Sequence, residues 1–317
     1  MPDRPSPLRL TAAVREARDA GRPIVALESS VLAQGLPIPA NREAADRMTG
    51  AVERAGAVPA VTAVVAGTPT LGLEPAELER FLARDGVRKV SARDLAAAMV
   101  RGHDGATTVA ASLALGALAG VPVFATGGIG GVHREVPGVP AERWVRDESA
   151  DLPELARSPM LCVCAGAKSI LDLPATLERL ETLGVPVVGY RTDTLPGFFT
   201  VDTGLRLPAR LDTPGELAAL WRHHRALGRR QAVLVVQPPP ADTALPRALV
   251  DGAVADALAD AAAAGVSGPA VTPHLLAAVE RATDGRSLAA NLALLEANAR
   301  LAAEVAVALG GTALAGA

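Results

Sequence analysis

Two textures alternate along the chain. Short runs rich in Val, Ile and Leu are separated by longer stretches rich in Ala, Leu, Glu and Arg. The runs predict strands at Ile24–Leu27, Val61–Ala66, Val121–Ala125, Met160–Val163, Val185–Gly189 and Ala232–Val236, with a short extended segment at Arg88–Ser91. The longer stretches predict helices at about Leu10–Ala20, Asn41–Ala55, Pro75–Arg84, Thr108–Leu118 and Pro214–Leu227, and three more that close the chain. Strands alternating with helices of this length argue for an α/β sandwich on a largely parallel sheet. Polar and glycine-rich segments repeatedly follow strand ends, where open α/β sheets place their sites. The Pro238–Pro240 run has the composition of a linker, but the helical stretches after it suit packing onto the same body. We therefore expect one domain rather than two.

Composition narrows the classes. The 317 residues are 50% hydrophobic and 21% charged, with a net charge of −3. Four Phe, two Trp and one Tyr leave a core of Ala, Val and Leu and offer no aromatic platform for stacking bases. Acids and arginines are interspersed, so no face for a nucleic acid polymer is expected. The start, MPDRPSPLRL, lacks the apolar core of a secretion signal. The Ala-rich run Ala255–Ala264 contains Asp260 and ends at Gly265, which suits a packed helix and not a membrane span. Cys162 and Cys164 stand two apart in a predicted strand, about 6.5–7 Å from each other on one face, which is awkward for a disulfide. C-x-C alone is also too little for a metal site. The expectation is two buried thiols in a cytoplasmic protein.

The basic residues carry the first chemical signal. Of 31 lysines and arginines, only Lys89 and Lys168 are lysine. Arginine stays protonated and cannot act as an amine nucleophile, whereas lysine can once burial or a neighbouring charge lowers its pKa. Lys168 lies in Cys162-Val163-Cys164-Ala165-Gly166-Ala167-Lys168-Ser169, a turn of small residues after an apolar run. A lone lysine is ordinarily a surface residue; here its rarity and its setting point to catalysis.

Three further segments have chemistry of their own. Glu28 follows the strand Ile24–Leu27, where an acid is either a turn cap or a general acid with a raised pKa. Thr126-Gly127-Gly128-Ile129-Gly130-Gly131-Val132-His133-Arg134 is either a tight unliganded loop or an anion cradle in which His133 and Arg134 add charge. It matches neither the Walker A pattern nor G-x-G-x-x-G. Asp147-Glu148-Ser149-Ala150-Asp151 either ligates Mg²⁺ or Mn²⁺ or simply starts a helix over Asp151–Ala156. A lysine with an acid and a phosphate cradle suits Schiff-base chemistry on a phosphorylated sugar aldehyde.

These segments, with Ala26-Leu27-Glu28-Ser29, Lys89-Val90-Ser91-Ala92-Arg93-Asp94-Leu95, Gly105-Ala106-Thr107-Thr108-Val109-Ala110 and Ser287-Leu288-Ala289-Ala290-Asn291, occur in an order that resembles the pseudouridine-5'-phosphate glycosidase family. That family is also called pseudouridylate synthase or indigoidine synthase A-like, and is classed with the carbon–oxygen lyases. The resemblance implies a three-layer α/β/α sandwich with a mixed, largely parallel central sheet, in one catalytic domain over residues 9–306 with 1–8 and 307–317 as flexible tails, assembled as a homotrimer. It implies reversible cleavage of the C–C glycosidic bond of pseudouridine 5'-phosphate to uracil and ribose 5-phosphate. Lys168 would be the nucleophile that forms an imine with the sugar, and Glu28 the proton donor to the uracil carbon. Asp147 would hold one Mn²⁺ per subunit, largely through water. Lys89, Thr126, His133 and Arg134 would contact the sugar phosphate, with Ser149 and Asp151 against the substrate. Backbone at Thr108 and Val109 and the side chain of Asn291 would recognise uracil, since one amide both donates and accepts.

The chain departs from the family pattern in two places. Residues 135–146 form a longer segment than usual, and Arg146-Asp147-Glu148-Ser149 replaces the usual aromatic-Asp-Ile-Ser, which sets a charge beside the expected metal. Gln237-Pro238-Pro239-Pro240 stands where Asn-Pro-Ile-Pro is common. Three rival readings remain: a Schiff-base aldolase or isomerase of sugar phosphates, a sugar-phosphate binding or regulatory protein, and a homologue specialised for another C-nucleoside phosphate.

Overall fold

The computed structural model describes residues 7–134, 147–266 and 271–310. The strand Ile24–Leu27 is buried at every position, which marks a strand covered on both faces. It pairs in parallel with Val58–Val65 on one side and Val123–Ala125 on the other. Beyond Val123–Ala125 come Leu161–Cys164, Val233–Val236, Val187–Tyr190 and Arg210–Leu211, all parallel. Antiparallel pairing enters the sheet where Val58–Val65 meets Thr68–Leu71 and Gly105–Thr107. Arg9–Leu10 and Arg88–Val90 complete the sheet in parallel with those two strands. The result is the expected mixed, largely parallel sheet.

Helices cover both faces. Arg286–Ala308 lies over Ile24–Leu27, Val123–Ala125 and Leu161–Cys164, between the helices Ala40–Arg54 and Pro214–Ala226. Its fully buried Ala299, Ala302, Ala303 and Ala306 allow close approach. On the opposite face Val109–Leu118 lies against Ile24–Leu27, Val58–Val65 and Val123–Ala125. A side chain at Gly116 would stand 2.6 Å from the Met160 methyl, so glycine lets Met160 pack directly on this helix. Between the layers lie apolar side chains such as Phe124 and Leu113, each contributing roughly 1.5–3 kcal/mol by leaving water. After the Pro238–Pro240 run the chain thus returns to the centre of the same sheet.

Every strand expected from the pattern is present, within about three residues. The two- and three-residue strands Arg9–Leu10, Gly105–Thr107 and Arg210–Leu211 are too short for a period to register. The helix Leu173–Thr182 was absent from the pattern reading, yet Asp172 caps it by accepting from Ala175 N at 3.0 Å and Pro174 occupies its first turn. At the far end Arg286–Ala308 runs two residues past the expected boundary. Residues 1–6 and 311–317 of the expected tails lie outside the described residues, as does the departing segment 135–146.

Candidate active site

Glu28 leaves the carboxyl end of Ile24–Leu27 and is only 7% exposed. Each carboxyl oxygen accepts a hydroxyl: Oε2 from Ser30 Oγ at 2.6 Å, and Oε1 from Thr126 Oγ1 in a short bond. Burial raises its pKa above the ordinary carboxylate value. The positive charge of Lys168 and the two hydroxyl bonds oppose that rise, and the negative charge of Asp151 adds to it. The turn after Glu28 is fixed by a buried hydroxyl cluster. Ser29 Oγ accepts from Thr107 N at 2.8 Å, and Thr107 Oγ1 donates to the carbonyl of Thr62 at 2.7 Å.

The glycine loop and the lysine loop run side by side as a continuation of their parallel strands. Ala165 N donates to Gly127 O at 2.9 Å, Ile129 N to Gly166 O at 3.0 Å, and Lys168 N to Ile129 O at 3.1 Å. Gly166 holds a φ of +88°, a left-handed conformation that turns the chain just before the lysine. In the facing loop the glycines serve close packing. A side chain on Gly128 would stand 2.5 Å from the Phe198 ring, and one on Gly130 2.2 Å from Ser149 Oγ. Several loop amides already have protein acceptors. Gly130 N donates to Asp151 Oδ2 at 2.8 Å and Val132 N to Thr176 Oγ1 at 3.0 Å.

The acidic segment divides by role. Asp151 is buried; its Oδ1 accepts from Ala110 N at 2.9 Å while Oδ2 holds Gly130 N, so it ties the start of helix Val109–Leu118 to the glycine loop. Ser149 N donates to Gly131 O at 3.0 Å, and Ser149 Oγ accepts from Asp151 N at 3.2 Å. Glu148 turns away and pairs with Arg179 Nε at 2.8 Å, so its charge is matched outside the site. Asp147 has a half-exposed carboxylate with Oδ2 3.5 Å from His133 Nδ1. No cluster of three or more acids, histidines or cysteines suited to a metal occurs among the described residues. A lone accessible carboxylate fits a hard divalent cation that keeps most of its water.

The remaining predicted residues are spread around this centre. Thr108 caps its helix, its hydroxyl 3.5 Å from Ala111 N, and Val109 is buried behind it. Asn291 lies on helix Arg286–Ala308, with Oδ1 3.5 Å from where a Gly127 side chain would begin. Lys89 is exposed on Arg88–Val90, the strand whose end meets Thr108 through a Thr108 N to Val90 O bond of 2.9 Å. Arg134 donates through Nε to Leu171 O at 3.0 Å, bracing the chain just after Lys168. It also borders a cavity of about 390 Å³ with Ser169, Thr200 and Arg247.

Sequence reasoning missed Asn298. This residue is 1% exposed, and its Nδ2 donates to the carbonyls of Thr126 at 2.8 Å and Gly127 at 3.3 Å. Its signal was available: Asn298 lies seven residues after Asn291 in an apolar helix, on the same face, and a buried amide requires partners.

Comparison with known proteins places the chain in a family. The family model described as indigoidine synthase A like protein matches residues 13–308. A pseudouridine-5'-phosphate glycosidase of Gemmatimonas aurantiaca is 66% identical over 95% of this chain and 96% of its own length. One from Herpetosiphon aurantiacus is 51% identical over 95% and 98%. Among solved structures, the prealnumycin C-glycosynthase AlnA in complex with ribulose 5-phosphate superposes with a TM-score of 0.88 at 38% identity, covering 98% of each chain. An indigoidine synthase A-like protein of Thermotoga maritima gives 0.85 at 33% identity, over 98% of this chain and 99% of its own.

Proposed function

The chain belongs to the indigoidine synthase A-like family, and from that premise we propose that it is a pseudouridine-5'-phosphate glycosidase, cleaving its substrate reversibly to uracil and ribose 5-phosphate. The observation that carries this reading is the acid–amine pair. A buried Glu28 biased toward its protonated form feels the charge of Lys168, and both residues follow the carboxyl ends of sheet strands.

The chemistry demands such a pair. A C-glycoside has no heteroatom at the bond to be broken, so protonating a leaving oxygen or nitrogen there cannot release the base. The Lys168 ammonium first gives a proton to water; its nitrogen then bonds to C1' as the C1'–O4' bond opens, and the ring oxygen takes the second proton that the nitrogen sheds. Glu28 then protonates the uracil carbon bonded to C1'. The C1'–C bond breaks, its electron pair restores the uracil ring double bond, and the nitrogen lone pair forms the C1'=N iminium. Water hydrolyses the iminium to ribose 5-phosphate and free lysine.

Asn291 suits the uracil edge, with the backbone at Thr108 and Val109 beside it. Lys89, Thr126, His133 and Arg134 suit the sugar phosphate. Asp151 and Ser149 suit a place against the substrate, and their bonds to Gly130 and Gly131 support a part in holding the glycine loop there. Asp147 is the residue that would hold Mn²⁺, which supplies positive charge for an anionic ligand when bound. A homotrimer follows from the family resemblance and is read by light scattering. No described helix is long and apolar enough to cross a membrane, and we assign the protein to the cytoplasm. The 66% identity to a glycosidase favours this reaction over the synthetic role of the 38% identical C-glycosynthase.

The test is uracil release from pseudouridine 5'-phosphate, together with borohydride trapping of ribose 5-phosphate and peptide mapping. A sugar adduct on Lys168 is expected. Turnover without that adduct would sink the imine mechanism.

A further inference from the structure

We propose that Asn298 and Gln237 form a positioning pair that sets the Thr126 hydroxyl on Glu28. The direction of the relay follows from elementary hydrogen bonding. The carbonyls of Thr126 and Gly127 can only accept, so the Asn298 amide nitrogen must face them. Its oxygen is then left for Gln237, whose Nε2 donates to it at 2.7 Å. Gln237 is itself anchored at the end of Val233–Val236 by its backbone N–H, 3.0 Å from Cys164 O. Both side chains are buried, at 1% and 8% exposure. The relay thus joins the helix Arg286–Ala308 to the ends of two strands, and its last link is the residue that donates to Glu28. Asn298 bonds to the Thr126 and Gly127 carbonyls and Gln237 bonds to Asn298, so both act through Thr126. This also gives a role to the Gln237 departure from the family pattern: its donor reaches the amide that holds the glycine loop.

The inference rests on Glu28 being the proton donor. Groups facing Glu28 are the Ser30 and Thr126 hydroxyls, the charges of Lys168 and Asp151 and the buried Cys162 thiol, and the variants below leave all five in place. Asn298→Asp keeps shape but turns an acceptor toward two carbonyls. Gln237→Glu keeps shape but turns an ionised acceptor toward Asn298 Oδ1. Each is expected to lower kcat by about 10- to 100-fold, part of the usual contribution of a general acid, with KM changed by about threefold or less. In Gln237→Met, which adds no charge, the pH limb belonging to Glu28 moves to higher pH because a displaced Thr126 no longer stabilises the carboxylate; in the two acidic variants the added charge raises it further. Borohydride trapping on Lys168 persists, since imine formation from ribose 5-phosphate does not use the relay.

Wild-type kcat in a folded variant, or a loss confined to KM with the limb unmoved, overturns the proposal. Gln237→Met removes the donor without adding charge and serves if the other variants do not fold. Should the wild-type protein release no uracil, it is the functional reading that fails. The relay is then judged by the Glu28 carboxyl titration in ¹³C-labelled protein, assigned with Glu28→Gln: an upward shift in the variants supports it and an unchanged titration overturns it.

Discussion

Thr126 donates its hydroxyl to Glu28 across 98 positions of sequence. The contact exists because Ile24–Leu27 and Val123–Ala125 are parallel neighbours, so their carboxyl ends fall side by side. The acid of the site is therefore a product of sheet order. Its partner belongs to the loop that also runs alongside the lysine turn, which couples acid and amine through backbone rather than through a shared side chain.

Glu28→Gln should abolish uracil release, by about two to four orders of magnitude, and stabilise the fold at neutral pH. A raised folded pKa means that the native state binds the proton more tightly than the unfolded chain. Stability from this group is therefore greatest at low pH and is lost as pH rises from about 4.5 through the higher folded value. Thermal denaturation of both proteins from pH 4 to 8 checks this: the Tm difference should be small at the acid end and favour the variant at the neutral end.

The two lysines should respond unequally to arginine. Lys168→Arg removes the amine assigned to imine formation, and turnover should fall by about three orders of magnitude or more. Lys89 is exposed and is assigned only a charge contact, so Lys89→Arg should cost about tenfold or less. Steady-state kinetics of the pair, with borohydride trapping on each, decides it; near-equal losses contradict the assignment.

Asp151→Asn should weaken the protein and the site together. Both carboxylate oxygens accept backbone N–H groups, whereas an asparagine offers one acceptor and would set its own N–H₂ against the other donor. Leaving a buried amide unmatched costs roughly 1–3 kcal/mol, read as a lowered denaturation midpoint. Turnover should fall as the glycine loop loosens from helix Val109–Leu118.

Added Mn²⁺ should raise uracil release by about tenfold or more over chelated protein. Asp147→Ala should remove that response. Because the imine forms on Lys168, trapping of ribose 5-phosphate should continue in Asp147→Ala. Manganese binding followed by electron paramagnetic resonance gives a readout apart from turnover; binding unchanged in the variant refutes the assignment of Asp147.

The features legible in the residues alone are local. Fully apolar runs mark the central parallel strands, and helix-length stretches between them imply the layers. Lysine scarcity marks Lys168, and an acid at a strand end marks Glu28. Which polar group meets which is set by the folded arrangement. Nothing near Asp151 in the chain announces Ala110 N and Gly130 N as its partners, and Glu148 looked like a charge beside a metal until it was found on Arg179. Asn298 looked like one more residue of a long helix until it was found holding the glycine loop. The reason is physical. Periodicity records which face of an element is buried, so it is written into neighbouring residues. The partner of a buried polar atom depends on which strand ends lie adjacent, and that order is settled only when the whole sheet assembles.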